Sequence, residues 1–135
     1  MWCQRWGKPV AITEFGTCAY VGAPKAGGMG WEVVDCTKQP NESKGNLVRS
    51  ERTRSAHVAD LLDVFESLGL YAAVAFEFVT PDAPHRPEPR LDLDMAGCSI
   101  VKTIKDGPDD LASAWRWEPR QAFHAPARHY RRARH

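Results

Sequence analysis

The chain has no apolar run approaching the ~20 residues that a membrane-spanning helix needs, and its N-terminus lacks the continuous apolar core of a secretory signal. Without a visible export signal, a cytoplasmic location with reduced thiols is the default expectation. Cysteine is scarce: Cys3, Cys18, Cys36 and Cys98 are scattered with no CxxC spacing, which argues against a disulfide framework. Charge of one sign is lacking too. A net charge of +1 creates no field for nucleic acid or a membrane surface, so neither is expected as a partner. The five histidines show no HExxH or paired spacing, and there is neither GxGxxG nor a Walker lysine followed by Ser or Thr. No metal site and no cofactor are therefore expected.

What is present is an ordinary globular composition, 43% hydrophobic and 26% charged, with a few well-marked segments. Val10 to Phe15, between Pro9 and Gly16, reads as a short buried strand. Strict alternation puts Val10, Ile12 and Glu14 on one face, and Ala11, Thr13 and Phe15 on the other. Glu14 is thus a carboxylate in register with core residues at the strand's carboxyl end, where α/β proteins do their chemistry. Cys18 to Gly45 is a long Gly- and Pro-rich connection, and Trp31 to Asp35 within it adds a short extended piece.

Ser50 and Glu51 open the clearest helix, running to Gly69 as its C′ residue. Its apolar stripe is Val58, Leu61, Leu62, Phe65 and Leu68. His57 is expected at the surface or a rim. Tyr71 to Val79 is a second strand, stopped by Pro81. Val74, Phe76 and Phe78 form a bulky face suited to packing on helices, and Ala73, Ala75 and Glu77 form the small, inward one. Adjacent strands lie ~4.8 Å apart, so Glu14 and Glu77 are candidates to meet near the top. The Pro-rich stretch from Pro81 to Arg90 is an extended loop. Asp92 and Asp94 follow without further ligands at metal-site spacing. A last helix is expected from Glu118 or Pro119, docking through Ala122, Phe123 and Tyr130. Pro126 should kink or end it. The basic run Arg128 to Arg134 reads as an exposed tail.

Lys8-Pro-Val-Ala-Ile-Thr-Glu-Phe-Gly16 resembles the seventh strand of the retaining (β/α)8-barrel glycoside hydrolases of clan A. The remaining segments follow in matching order: Gly22-Ala23 and Gly27 to Asp35 as the next loop, Arg49 to Leu68 as helix seven and Tyr71 to Val79 as strand eight. Leu91-Asp-Leu-Asp-Met-Ala-Gly97, Ile100 to Lys102 and Trp117 to Phe123 look like the closing segment. The combination is most similar to bacterial proteins, common in actinomycetes, labelled "abortive infection protein".

The resemblance implies an α/β fold: the C-terminal β-α-β-α portion of a TIM (β/α)8 barrel, one incomplete domain over 1–135. Its parts are the strand-seven region (1–16), a long loop (17–49), a helix (50–69), strand eight (71–80), loop and closing segment (81–117) and a C-terminal helix (118–134). A whole barrel needs ~250 residues. The expectation is therefore a fragment beginning at strand seven, with Met1 to Trp6 as the end of the preceding helix.

By the same resemblance Glu14 is the nucleophile, and the acid/base belongs to strand four, which is not in this sequence. Glu77 stands where the family favours an aromatic or small polar residue, and is a second carboxylate of uncertain consequence. Tyr20 and Trp31 on the loop after Glu14, and His85, are candidates to line a carbohydrate site; the bland alternative is that the aromatics pin the loop and His85 faces solvent. The implied partners are a carbohydrate in the intact parent, a missing N-terminal barrel segment, or a second copy through open strand edges. Three readings follow: an inactive glycosidase remnant, half of a split glycosidase, and a non-enzymatic phage-defence or interaction module.

Overall fold

A computed structural model describes residues 5–132. The fold is mixed α/β: three separate two-stranded sheets, two α-helices of several turns and short 3-10 segments, with no closed barrel among the described residues. The strands are β1 (Ala11–Phe15), β2 (Val34–Asp35), β3 (Glu42–Ser43), β4 (Ala72–Ala75), β5 (Val101–Lys105) and β6 (Trp115–Pro119). The helices are α1 (Glu51–Ser67) and α2 (Gln121–Arg132). Arg5 and Trp6 are helical, and the rest of the expected leading helix lies outside the described residues.

The expected β-α-β order is present. β1 and β4 pair in parallel, with α1 in the connection between them. Strict alternation along β1 fails, however. Ile12 pairs with Ala73 and Phe15 with Ala75, so one extra residue is accommodated in β1 as a bulge. Phe15 and Ile12 consequently reach the same apolar cluster, built with Val58, Leu62 and Ala125, and Glu14 is left exposed. Phe15 meets Phe65 edge to face at 5.2 Å.

The two faces of β4 are also the reverse of the expectation. Ala73 and Ala75 pack toward α1, whereas Val74 and Phe76 are 56% and 46% exposed. Small side chains let the helix approach the sheet closely, which the bulky face would prevent. Phe78, also exposed at 44%, meets Trp117 edge to face at 5.1 Å and Phe123 at 6.4 Å.

α1 begins where expected: Ser50 is its N-cap, accepting a hydrogen bond from Thr53 N at 3.1 Å. Gly69 follows the C-cap with φ +65°, the left-handed value that favours glycine. Two further regions depart from expectation. The closing stretch is not loop alone: β5 and β6 form an antiparallel hairpin, in which Val101, Thr103 and Lys105 point inward. Glu118 and Pro119 therefore end a strand, and α2 starts only at Gln121. α2 also continues through Pro126, because packing of Ala122 and Ala125 against the body holds the helix together across the missing donor. Tyr130 is exposed, while His129 reaches across to Asp63 on α1 at 3.1 Å.

Candidate functional site

Glu14 opens onto a cleft of about 480 Å3 at the carboxyl end of β1. Four other parts of the chain complete its walls. The loop after β1 contributes Gly27, Gly28 and Trp31, α1 contributes His57 and Leu61, the residue after β4 contributes Phe76, and the segment before β5 contributes Cys98. Gly16 explains why the strand ends as it does. A Cβ there would lie 2.4 Å from the Phe76 carbonyl oxygen, so only glycine lets β1 pass this close to the end of β4. Phe76 N donates to Phe15 O at 2.8 Å and locks that crossing.

The two aromatic candidates part company. Trp31 lines the cleft and is 54% exposed, in reach of a ligand. Tyr20 is buried among Cys18, Ala19, Ala23 and Met95, and its hydroxyl donates to Gly30 O at 2.8 Å. It pins the loop that presents Trp31 and does not line the cleft. Burial pushes the Tyr20 hydroxyl up from its ordinary pKa, so it stays a neutral donor.

Glu77 is not part of the cleft wall. It follows the cis peptide after Phe76, and its Oε1 accepts from Thr80 Oγ1 at 2.6 Å. Its backbone pairs with the segment leading into β5, through Glu77 N to Cys98 O and Ile100 N to Glu77 O. Among the described residues, Glu14 therefore has no second carboxylate beside it in the cleft.

His85 also lies elsewhere, in a charged cluster. Its Nδ1 sits 3.0 Å from Asp92 Oδ1, and Arg49 bridges Asp92 at 2.5 Å, Asp94 at 2.7 Å and Glu51 at 2.6 Å. Arg120 pairs with Asp94 and, at 3.2 Å, with Glu51. Burial and the Arg54 and Arg49 charges push the Arg120 pKa down, and the carboxylates oppose that shift. His85, Asp92 and Asp94 are close enough to hold a cation, but Arg49 already occupies both carboxylates. The pair fixes the loop before β5: Asp94 Oδ1 accepts from Thr103 N, and Asp92 Oδ1 from Arg86 N.

Cys98 is the cleft residue that sequence reasoning missed; His57, expected at the surface or a rim, lines the cleft half-buried. Cys98 Sγ lies 3.8 Å from Cys18 Sγ, and the Cys18 thiol is within 3.0 Å of Ala96 O. A hydrogen bond from Cys18 and the positive charge of Arg54 lower Cys98 to about 7, against burial and the Glu77 charge. Cys18 shifts the other way, raised by its hydrogen bond to Cys98 and by burial, so it holds the proton. No helix is long and apolar enough to cross a membrane among the described residues. The chain matches no protein-family model and no curated protein.

Proposed function

We propose that this chain is the nucleophile-bearing, closing segment of a retaining (β/α)8-barrel glycoside hydrolase-like protein, similar to the group labelled "abortive infection protein", and that it does not turn over glycosides alone. One observation carries the reading: Glu14, the penultimate residue of β1, and the exposed Trp31 line the same cleft. The C–H face of a sugar ring packs on such an indole and brings the anomeric carbon toward a carboxylate. Glu14 would attack that carbon through an oxocarbenium-like transition state. A retaining mechanism also requires an acid to protonate the leaving oxygen, ~5–5.5 Å from the nucleophile. Glu77 is engaged with Thr80 and lies outside the cleft wall, so it does not supply that acid. The uncovered face of the β1–β4 pair, with Val74 and Phe76 exposed, suits coverage by further barrel strands.

The test has two arms. Monosaccharides and disaccharides are titrated into the chain, following the Trp31 indole N–H by NMR against a Trp31→Ala control. The chain is then co-expressed with a six-strand barrel segment and assayed on aryl glycosides. Saturable shifts at Trp31, and turnover only in the complex that disappears in Glu14→Gln, support the reading. Turnover by the chain alone that survives Glu14→Gln sinks it, as does a Trp31 signal that no sugar moves.

The open edges and exposed apolar side chains of the same sheet favour a second reading, an interaction module whose partner is another copy of itself. The group's label leans toward a phage-defence role for such a module. A discrete dimer that ignores both sugars and the barrel segment would favour it.

A further inference from the structure

We propose that Cys98 and Cys18 form a peroxide-reactive thiol pair, with Cys98 attacking from the cleft wall and Cys18 resolving it into a disulfide. The inference stands apart from the glycosidase reading, since it uses neither Glu14 nor a sugar. Position separates the two roles. Cys98 lines the cleft and is reachable from solvent, whereas Cys18 is 1% exposed behind it. The sulfurs lie 3.8 Å apart, and a disulfide of ~2.05 Å requires them to close by about 1.8 Å. A Cβ on Gly30 would lie 3.1 Å from Cys18 Sγ, so glycine at that position leaves room beside the sulfur.

The pair is held by a dedicated residue. Arg54 of α1 is fully buried, and its guanidinium donates to Thr17 O, Gly97 O and Ser99 O. Those carbonyls belong to the residue before Cys18 and to both neighbours of Cys98. One side chain thereby sets the spacing of the two thiols and brings a positive charge to them. The shift of Cys98 toward the thiolate agrees with this geometry.

The chemistry balances with an organic or hydrogen peroxide as oxidant. The Cys98 thiolate attacks the terminal oxygen of ROOH. The S–O bond forms as O–O breaks, and RO⁻ leaves to take a proton from water. The sulfur is oxidised by two electrons to the sulfenic acid, and the peroxide is reduced to ROH. Cys18 sulfur then attacks Cys98 sulfur. The S–S bond forms, and the hydroxyl departs with the Cys18 proton as water.

The experiment treats the full chain with tert-butyl hydroperoxide near equimolar ratio, then maps unreduced peptides by mass spectrometry. The expected product is a Cys18–Cys98 linked peptide, two hydrogens lighter than its parts and restored by dithiothreitol. Exposed Cys36 serves as the internal control. In Cys18→Ser, dimedone should trap a sulfenic acid on Cys98, and in Cys98→Ser Cys18 should stay reduced. The wild-type map decides even where a variant misfolds. No linked peptide, or overoxidation of wild-type Cys98 as rapid as that of Cys36, would overturn the proposal.

Discussion

Arg54 is the residue on which the centre of the molecule turns. It is buried, and desolvation pushes its pKa down from the ordinary arginine value, yet its fork of donors satisfies carbonyls from two separate loops. Methionine has similar bulk but no donors, and would leave those carbonyls orphaned. Arg54→Met should cost about 3 kcal/mol or more, read as a lower urea midpoint. The same change bears on Cys98. Its alkylation rate by iodoacetamide should rise with pH through a midpoint near 7 as the thiol ionises. The rate should fall below that pH, where the thiol is protonated. Without the Arg54 charge the midpoint moves up toward the ordinary thiol value, and an unmoved midpoint would remove Arg54 from the account. Legibility at this scale is uneven. Glu14 and Trp31 announced themselves through a strand end and a Gly-rich loop, and both line the cleft. Cys98 did not, because four scattered cysteines carry no spacing signal; only the meeting of distant segments brings it into the cleft. His85 and Tyr20 answer instead to partners, Asp92 and the Gly30 carbonyl, that no local pattern names.

Helix α1 was legible at both ends because capping is local chemistry. Ser50→Ala should destabilise the chain by about 1 kcal/mol through the lost bond to Thr53 N. Gly69→Ala should cost a further ~1 kcal/mol, since φ +65° strains any residue with a Cβ. Thermal denaturation followed by circular dichroism reads both. α2 points the other way: Pro126 sits inside it, so Pro126→Ala should stabilise by up to ~3 kcal/mol if the helix accommodates the restored N–H, raising the same midpoint. The β5–β6 hairpin was missed although its alternation is present in Val101 to Lys105, with every second residue buried. Two of those inward residues, Thr103 and Lys105, are polar. They are tolerated because Thr103 Oγ1 donates to Thr80 O and Lys105 Nζ to the carbonyls of Asp110 and Leu111. A hydrophobicity pattern is blind to polar residues satisfied in this way. The bulge in β1 was hidden for a related reason, since an extra residue in one strand is visible only against its partner.

At the scale of the whole molecule, the apolar interior among the described residues is split into two modest clusters, one around Met95 and one around Val58, with the ion cluster of Arg49, Asp92 and Asp94 as a third, polar centre. The β1–β4 sheet is covered on its α1 side and open on the other. Val74→Asp should therefore leave the monomer folded and suppress any concentration-dependent growth in mass seen by sedimentation. Growth unchanged by that substitution would place the contact elsewhere. The connectivity of this sheet also sets an order of events during folding. Ala11 must find Ala72 across roughly 60 intervening residues, whereas β5 and β6 are joined by fewer than ten, and closing the longer loop costs about 1–2 kcal/mol more in chain entropy. The hairpin and α1 can assemble early, and the parallel pair must wait until α1 exists to bring its strands together. For that interval the strand that carries Glu14 is an unpaired, partly apolar segment, so the cleft framed by β1 and the end of β4 takes shape only once that pairing is made.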